Sequence, residues 1–313
     1  MARARTHDER PSLVLSFAGV LVLVVLRGAW GEDDATGNGG SDVPASPTVE
    51  RIDHPSGDDE MILRVAWEGG FVMPEELVRR LPLFALLGDG CVVTQGPQIE
   101  IFPQPALPNL QQTCLTEDGV QQILRAAKEA GLLDGDAQYD FPNIADAVTT
   151  VFTLTANGQT TTVKAYALGD ATQSTGDAEA DAAREKLAEL QTKLGDLRSW
   201  LPADAFASEE QPYEATRMQL VVQPVSTDSS SATPEGIEIQ QLDWPLSTPL
   251  AEIGAPYPFE RWRCVTVEGD DLATLMEQLT GANRLTQWRS GDAEYTLIAR
   301  PLLPGEQSCA NAL

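Results

Sequence analysis

Residues 116–131 read TEDGVQQILRAAKEAG and residues 151–168 read VFTLTANGQTTTVKAYAL, and these two stretches decide the fold class. In the first, Thr116 is placed to cap a helix, Glu117 and Asp118 suit its positive N-terminal end, and Gly131 suits the left-handed position after its last turn. Val120, Ile123, Leu124 and Ala127 recur at helical spacing and give it one apolar face. In the second, Phe152 and Leu154 alternate into Asn157-Gly158, the strongest two-residue hairpin signal, and the return strand runs through Val163, Ala165, Tyr166 and Leu168. A helix beside alternating hairpin strands implies an antiparallel sheet covered on one face. Parallel sheets, buried on both faces, read instead as continuous apolar runs.

Outward from that centre the same grammar recurs. Met61, Leu63, Val65 and Trp67 alternate as a strand, and residues 82–95 read as two short strands around Gly88-Asp89-Gly90. Ile99 to Phe102 reads as a further strand, running into an extended surface segment at Pro103, Pro105 and Pro108. A second helix is predicted from Asp181 to Leu201, with Leu187, Leu190, Leu194, Leu197 and Leu201 on one side and Pro202 as its stop. Two heptads that contain Gly195 are too short for a coiled coil, so this helix is expected to pack on a sheet. Later come a strand at Met218, Leu220 and Val222, a Ser/Thr loop at 226–233, and a strand from Ile237 to Trp244. Trp262 to Val267 leads into a third helix bearing Leu272, Leu275, Met276 and Leu279, which ends at Gly281. A hairpin from Leu285 to Ala299, turning at Gly291-Asp292, closes the pattern. The prediction is an α+β fold with antiparallel sheets and helices on one face. Residues 61–202 and 203–313 would form two similar strand-helix-hairpin halves.

Upstream, Arg3, Arg5 and Arg10 precede an unbroken apolar run from Ser12 to Leu26. Fifteen residues of helix rise roughly 22 Å, short of the roughly 30 Å hydrocarbon core. With small residues following at Gly28, Ala29 and Gly31, residues 1–31 read as a signal peptide cut before Glu32, or as an uncleaved anchor. Residues 32–60 are acidic and rich in Gly, Pro and Ser, and read as a disordered linker. The layout of export signal, acidic tether and α+β body resembles that of many bacterial envelope proteins.

The chain carries 47 acidic against 21 basic residues, a net charge of −26. That sign excludes sequence-independent binding to nucleic acid and favours a cationic or neutral partner. No membrane contact is expected beyond the possible N-terminal anchor. Histidine is confined to His7 and His54, so triads, histidine bases and histidine-bearing zinc sites have nothing to be built from. Phosphate-cradling glycine loops are missing, and no cofactor is expected. Asp134, Asp136, Asp140 and Asp146 are closely spaced, but the EF-hand pattern fails at Tyr139 and Ala145, so no metal ligand is assigned. Glu100, Asp243 and Glu260 lie beside Phe102, Trp244 and Trp262, where burial could raise a carboxyl pKa, yet none is assigned as catalytic. Cys91, Cys114, Cys264 and Cys309 lack any CxxC spacing, and an even count in an exported chain implies two disulfides. Pairing within each half, Cys91 with Cys114 and Cys264 with Cys309, is the expected connectivity.

By subtraction, the expected function is that of an exported cell-envelope or secreted protein that binds or scaffolds without catalysis. The alternative is a carboxylate-dependent glycoside hydrolase acting on polysaccharide, which needs two facing carboxyls. A third possibility is a calcium-stabilised adhesion module.

Overall fold

A computed structural model describes residues 50–142, 144–169, 174–225, 236–259 and 261–309. The leader, residues 32–49, Glu260 and the Ser/Thr loop at 226–233 lie outside the described residues. The first sheet is built from β1 (Met61–Gly69), β2 (Phe84–Leu87), β3 (Cys91–Gln95), β4 (Leu110–Cys114), β5 (Ala137–Tyr139), β6 (Val148–Ala156), β7 (Gln159–Tyr166) and β8 (Gln211–Pro212). Their spatial order is β5-β7-β6-β1-β2-β3-β4-β8. The second sheet comprises β9 (Arg217–Pro224), β10 (Gln241–Asp243), β11 (Ala255–Pro256), β12 (Arg263–Glu268), β13 (Gln287–Ser290) and β14 (Ala293–Pro301), in the order β10-β13-β14-β9-β12-β11. Pairing is antiparallel except at two edges, where β5 runs parallel to β7 and β10 parallel to β13. Helices α1 (Pro74–Arg79), α2 (Glu117–Glu129), α3 (Ala178–Gly195) and α4 (Gly269–Leu279) complete an α+β fold.

The local signals produce their elements for the reasons expected. Thr116 caps α2, its hydroxyl accepting from Gly119 N at 3.3 Å, and Gly131 follows the helix at φ +88°. Asn157 and Gly158 both have positive φ, which a two-residue turn matched to the strand twist requires. Ile123 and Leu124 of α2, Leu187 and Leu190 of α3, and Phe152 and Leu154 of the hairpin are fully buried in one core. In the second sheet Leu275 and Leu279 of α4 pack on Leu220, Val222 and Trp288.

Other elements differ from the sequence expectation. The pairing of β1 with β2 skips a residue between Met61 and Leu63, so strict alternation fails. Ile62, Leu63 and Val65 join the helix-side core, while Trp67 is exposed. Helix α3 spans 178–195 rather than 181–201. Asp177 caps it by accepting from Glu179 N and Ala180 N, and a 3-10 turn at Leu197–Ser199 then carries Leu197 into the core. The strand expected at 237–244 is reduced to β10, and none forms at 99–102. The last part of the expected linker is ordered: Ile52 is buried, and its backbone N–H and C=O both bond the side-chain amide of Gln121, at 2.9 and 2.8 Å. A composition average hides what one isoleucine with a matched buried amide can do. The proline-spaced segment is also docked, with Ala106 and Leu107 against the second core and Ala106 N donating to Ala282 O at 3.0 Å.

Each sheet has its second face closed by a segment from the other half of the chain. Val78 of α1 packs on the back of the second sheet with Val221, Cys264 and Ile298. Leu303, just beyond β14, packs on the back of the first sheet with Leu81, Ala85, Leu87, Val93 and Leu110. Where the two meet, the Arg300 guanidinium grips the Glu306 carboxylate through two bonds of 3.0 and 2.8 Å, both side chains about 10% exposed.

Candidate binding cleft

Cys91 pairs with Cys114 and Cys264 with Cys309, the pairing expected within each half, with Cα separations of 3.9 and 5.7 Å. The first bond joins directly opposed residues of β3 and β4, and the second ties the segment after β14 to β12. Such bonds are compatible with an extracytoplasmic location.

The acidic candidates do not converge. Asp243 is exposed and paired with Arg289 at 2.8 Å, Glu100 is exposed, and neither lines any of the larger clefts. Asp136 accepts from Thr162 N and Asp140 from Gln138, while Asp134 and Asp146 face solvent. Among the described residues no group of three or more Asp, Glu, His or Cys is placed to hold a metal ion. His54 is packed rather than loose, its Nε2 beside the Glu117 carboxylate at 3.2 Å.

What the structure does assemble is a cleft of about 810 Å³ that no sequence motif announced. Its walls come from the end of β1, helix α1, the loop at 96–109, the C-terminal turns of α3, and the loop after α4. The β1 end turns sharply at Gly69 and Gly70, with φ of +65° and +85°; a Cβ on Gly70 would come within 2.9 Å of the Val148 side chain. Arg80 fixes that turn by donating to Gly69 O at 2.8 Å. Pro74 then starts α1, where proline's fixed φ and missing N–H are tolerated. The opposite wall is laced to the loop after α4 by Arg284 N donating to Gln104 O at 2.8 Å.

Three arginines (Arg79, Arg80 and Arg284) and one carboxylate, Glu76, line this cleft, so its local sign opposes that of the whole chain. Glu76 bonds Arg284 at 3.3 Å and stands 3.9 Å from Arg79. The Arg79 side chain is only 15% exposed. Burial, and then the neighbouring Arg284 charge, lower the Arg79 pKa, with Glu76 and Glu75 acting in the opposite direction. Arg80 is engaged by backbone carbonyls, which leaves Arg79 and Arg284 as the cations that face the cleft with spare donors.

The rim is apolar. The exposed large apolar side chains among the described residues all lie in two segments, Trp67 with Phe71–Met73 and Ile99 with Ile101 and Phe102. Phe71 is 87% exposed, Met73 67%, Ile99 66% and Phe102 65%. Both segments border the arginines. Trp67 and Val72 line the cleft itself, and Ile99 lines a small recess that shares Arg79, Gln98, Gln104 and Arg284 with it. Exposed apolar side chains gathered beside a cleft, rather than scattered singly, are the kind of surface that marks interaction sites. A neighbouring cleft of about 620 Å³, which contains Arg64, Arg300 and Glu306, differs: its buried charges pair with one another.

Set against known proteins, the chain matches no family model, no curated protein and no solved structure.

Proposed function

We propose that the chain is an exported, non-catalytic binding module whose ligand site is the arginine-bearing cleft beside α1. One observation carries this reading. The exposed large apolar side chains are gathered on the two segments that border Arg79 and Arg284, instead of being scattered over the surface. A volume of about 810 Å³ falls in the range of small-ligand clefts, roughly 300 to 1,000 Å³. The leader pattern and the two disulfides support export. A catalytic reading finds no counterpart pair for Glu76 in the cleft, where no second carboxylate faces it.

The test is hydrogen–deuterium exchange of the full chain with a small-fragment panel spanning anionic, neutral and cationic members. Protection at 67–73, 96–108 and 282–286 supports the reading. Protection confined to other surfaces, or turnover of a glycoside substrate, overturns it.

A further inference from the structure

We propose that the cleft takes a monoanionic amphiphile, its carboxylate seated between Arg79 and Arg284 and its acyl tail lying against the apolar rim. This assignment of ligand chemistry rests on the binding reading above. The head follows from the donor count. Each guanidinium carries five N–H donors in a planar fork, and against these ten stand the Glu76 carboxylate, 3.9 Å from Arg79 and 3.3 Å from Arg284, and the Glu75 charge acting on Arg79. A second carboxylate would find donors already aimed and, at the largely buried Arg79, largely stripped of water, where charge-assisted bonds are strongest.

The tail follows from the surroundings. Leu83, Trp67 and Val72 offer apolar surface along the same cleft as the arginines, over a floor formed by the tightly buried Val65, Leu81, Phe84 and Leu194. A compact polar anion such as free phosphate would leave this surface wet. The net charge of −26 decides between a dissolved molecule and a membrane. An anionic bilayer presents many charges to the whole acidic body and is repelled. A single dissolved carboxylate inside the cleft meets the arginines at contact distance, while charges beyond about 8 Å are largely screened at physiological salt.

Dodecanoate, below its micellar concentration, is the probe, read by fluorescence of the full chain against the W67F variant so that only the cleft tryptophan contributes. Dodecanol supplies the tail without the charge, acetate the head without the tail, dodecyltrimethylammonium the opposite charge, and an acidic hexapeptide the macromolecular alternative. Dodecanoate should bind at least about tenfold more tightly than any of these, the size of one charge-assisted bond. Arg284→Gln should remove about tenfold of the dodecanoate affinity and leave dodecanol binding unchanged. Arg79→Gln should do the same, with circular dichroism checking its fold. Glu76→Gln should tighten dodecanoate, because it frees both guanidinium groups, an outcome that a purely structural role for these residues does not give.

Equal affinity for dodecanoate and dodecanol, or indifference to Arg284→Gln, overturns the carboxylate assignment while leaving the cleft as a binding site. Binding of the hexapeptide with none of dodecanoate overturns the amphiphile in favour of a protein partner. Failure of every probe and of the exchange panel together removes the binding reading itself.

Discussion

The two sheets share a plan and differ in one connection. Each has a central strand early in its sequence (β1 or β9), a helix preceding a hairpin, and a short parallel strand at the far edge. In the first sheet the hairpin docks on the centre through its leading strand β6. In the second it docks through its trailing strand β14. A duplicated half would keep the same strand inward. Shared physics alone produces such a likeness: a helix with one apolar face needs a sheet beneath it, and a tight hairpin needs a neighbour. The halves are also interdependent, since α1 closes the second sheet and residue 303 the first. Mutual closure, more than repetition, is what the two halves have in common.

The sharpest way to break that comparison is at the Arg300–Glu306 grip. Glu306→Ala leaves a guanidinium buried without its partner, and such losses cost about 3 to 5 kcal/mol. If the sheets depend on one another, chemical denaturation followed by Trp200 in the first half and Trp288 in the second will show coincident transitions, both shifted. Separate transitions would make the halves independent.

Next in size are the disulfides. The bonds close loops with sequence separations of 23 and 45, for which chain entropy gives about 3 to 4 kcal/mol each. The entropy term differs little between them. Replacing Cys264 and Cys309 by serine should nevertheless cost more than replacing Cys91 and Cys114, because it also frees the segment that closes the first sheet. Equal denaturation midpoints for the two double variants would contradict that asymmetry.

A smaller contrast lies in the caps. Thr116→Ala should cost about 1 kcal/mol. Glu268 occupies the corresponding place before α4 without a side-chain cap bond, and Glu268→Ala should change thermal stability by less than about 0.5 kcal/mol.

The smallest effect is acid sensitivity confined to the first half. Hydrogen bonds from Ser174 and Thr175, with Arg184 nearby, hold the Asp181 carboxyl below its usual value. Its contribution is therefore fully present above the unfolded-state value near 3.8 and is lost as pH falls through the lower folded value. Relative to the intrinsic exchange rate at each pH, amide protection at the α3 N-terminus should fall below that pH in wild type, whereas in Asp181→Asn the protection there should not change across the same window.

Elements with dense local signals were legible in the sequence. Helix α2, with its cap, apolar stripe and terminal glycine, and the Asn157-Gly158 hairpin formed as read, because neighbouring residues supply nearly all the information. Helix α1 was not legible. Six residues with Val78 as their buried side chain give no periodicity to detect, and the helix is held by contacts with β14 made far along the chain. The cleft was hidden for the same reason. Glu76 and Arg284 are 208 residues apart, and the apolar residues at 99–102 read as a strand because alternation carries no record of whether a partner strand is available. Net charge is silent in a different way: a sum over the chain does not describe the sign inside a recess.

The segment after β14 has a consequence for how the protein is made. Leu303, Glu306 and Cys309 close the first sheet, neutralise Arg300 and complete the second disulfide, yet ribosomes deliver them after every strand they serve. A nascent chain can form its helices and hairpins early but must wait with the back of its first sheet uncovered. Any chain cut short before residue 302 keeps that sheet face bare and Cys264 unpaired.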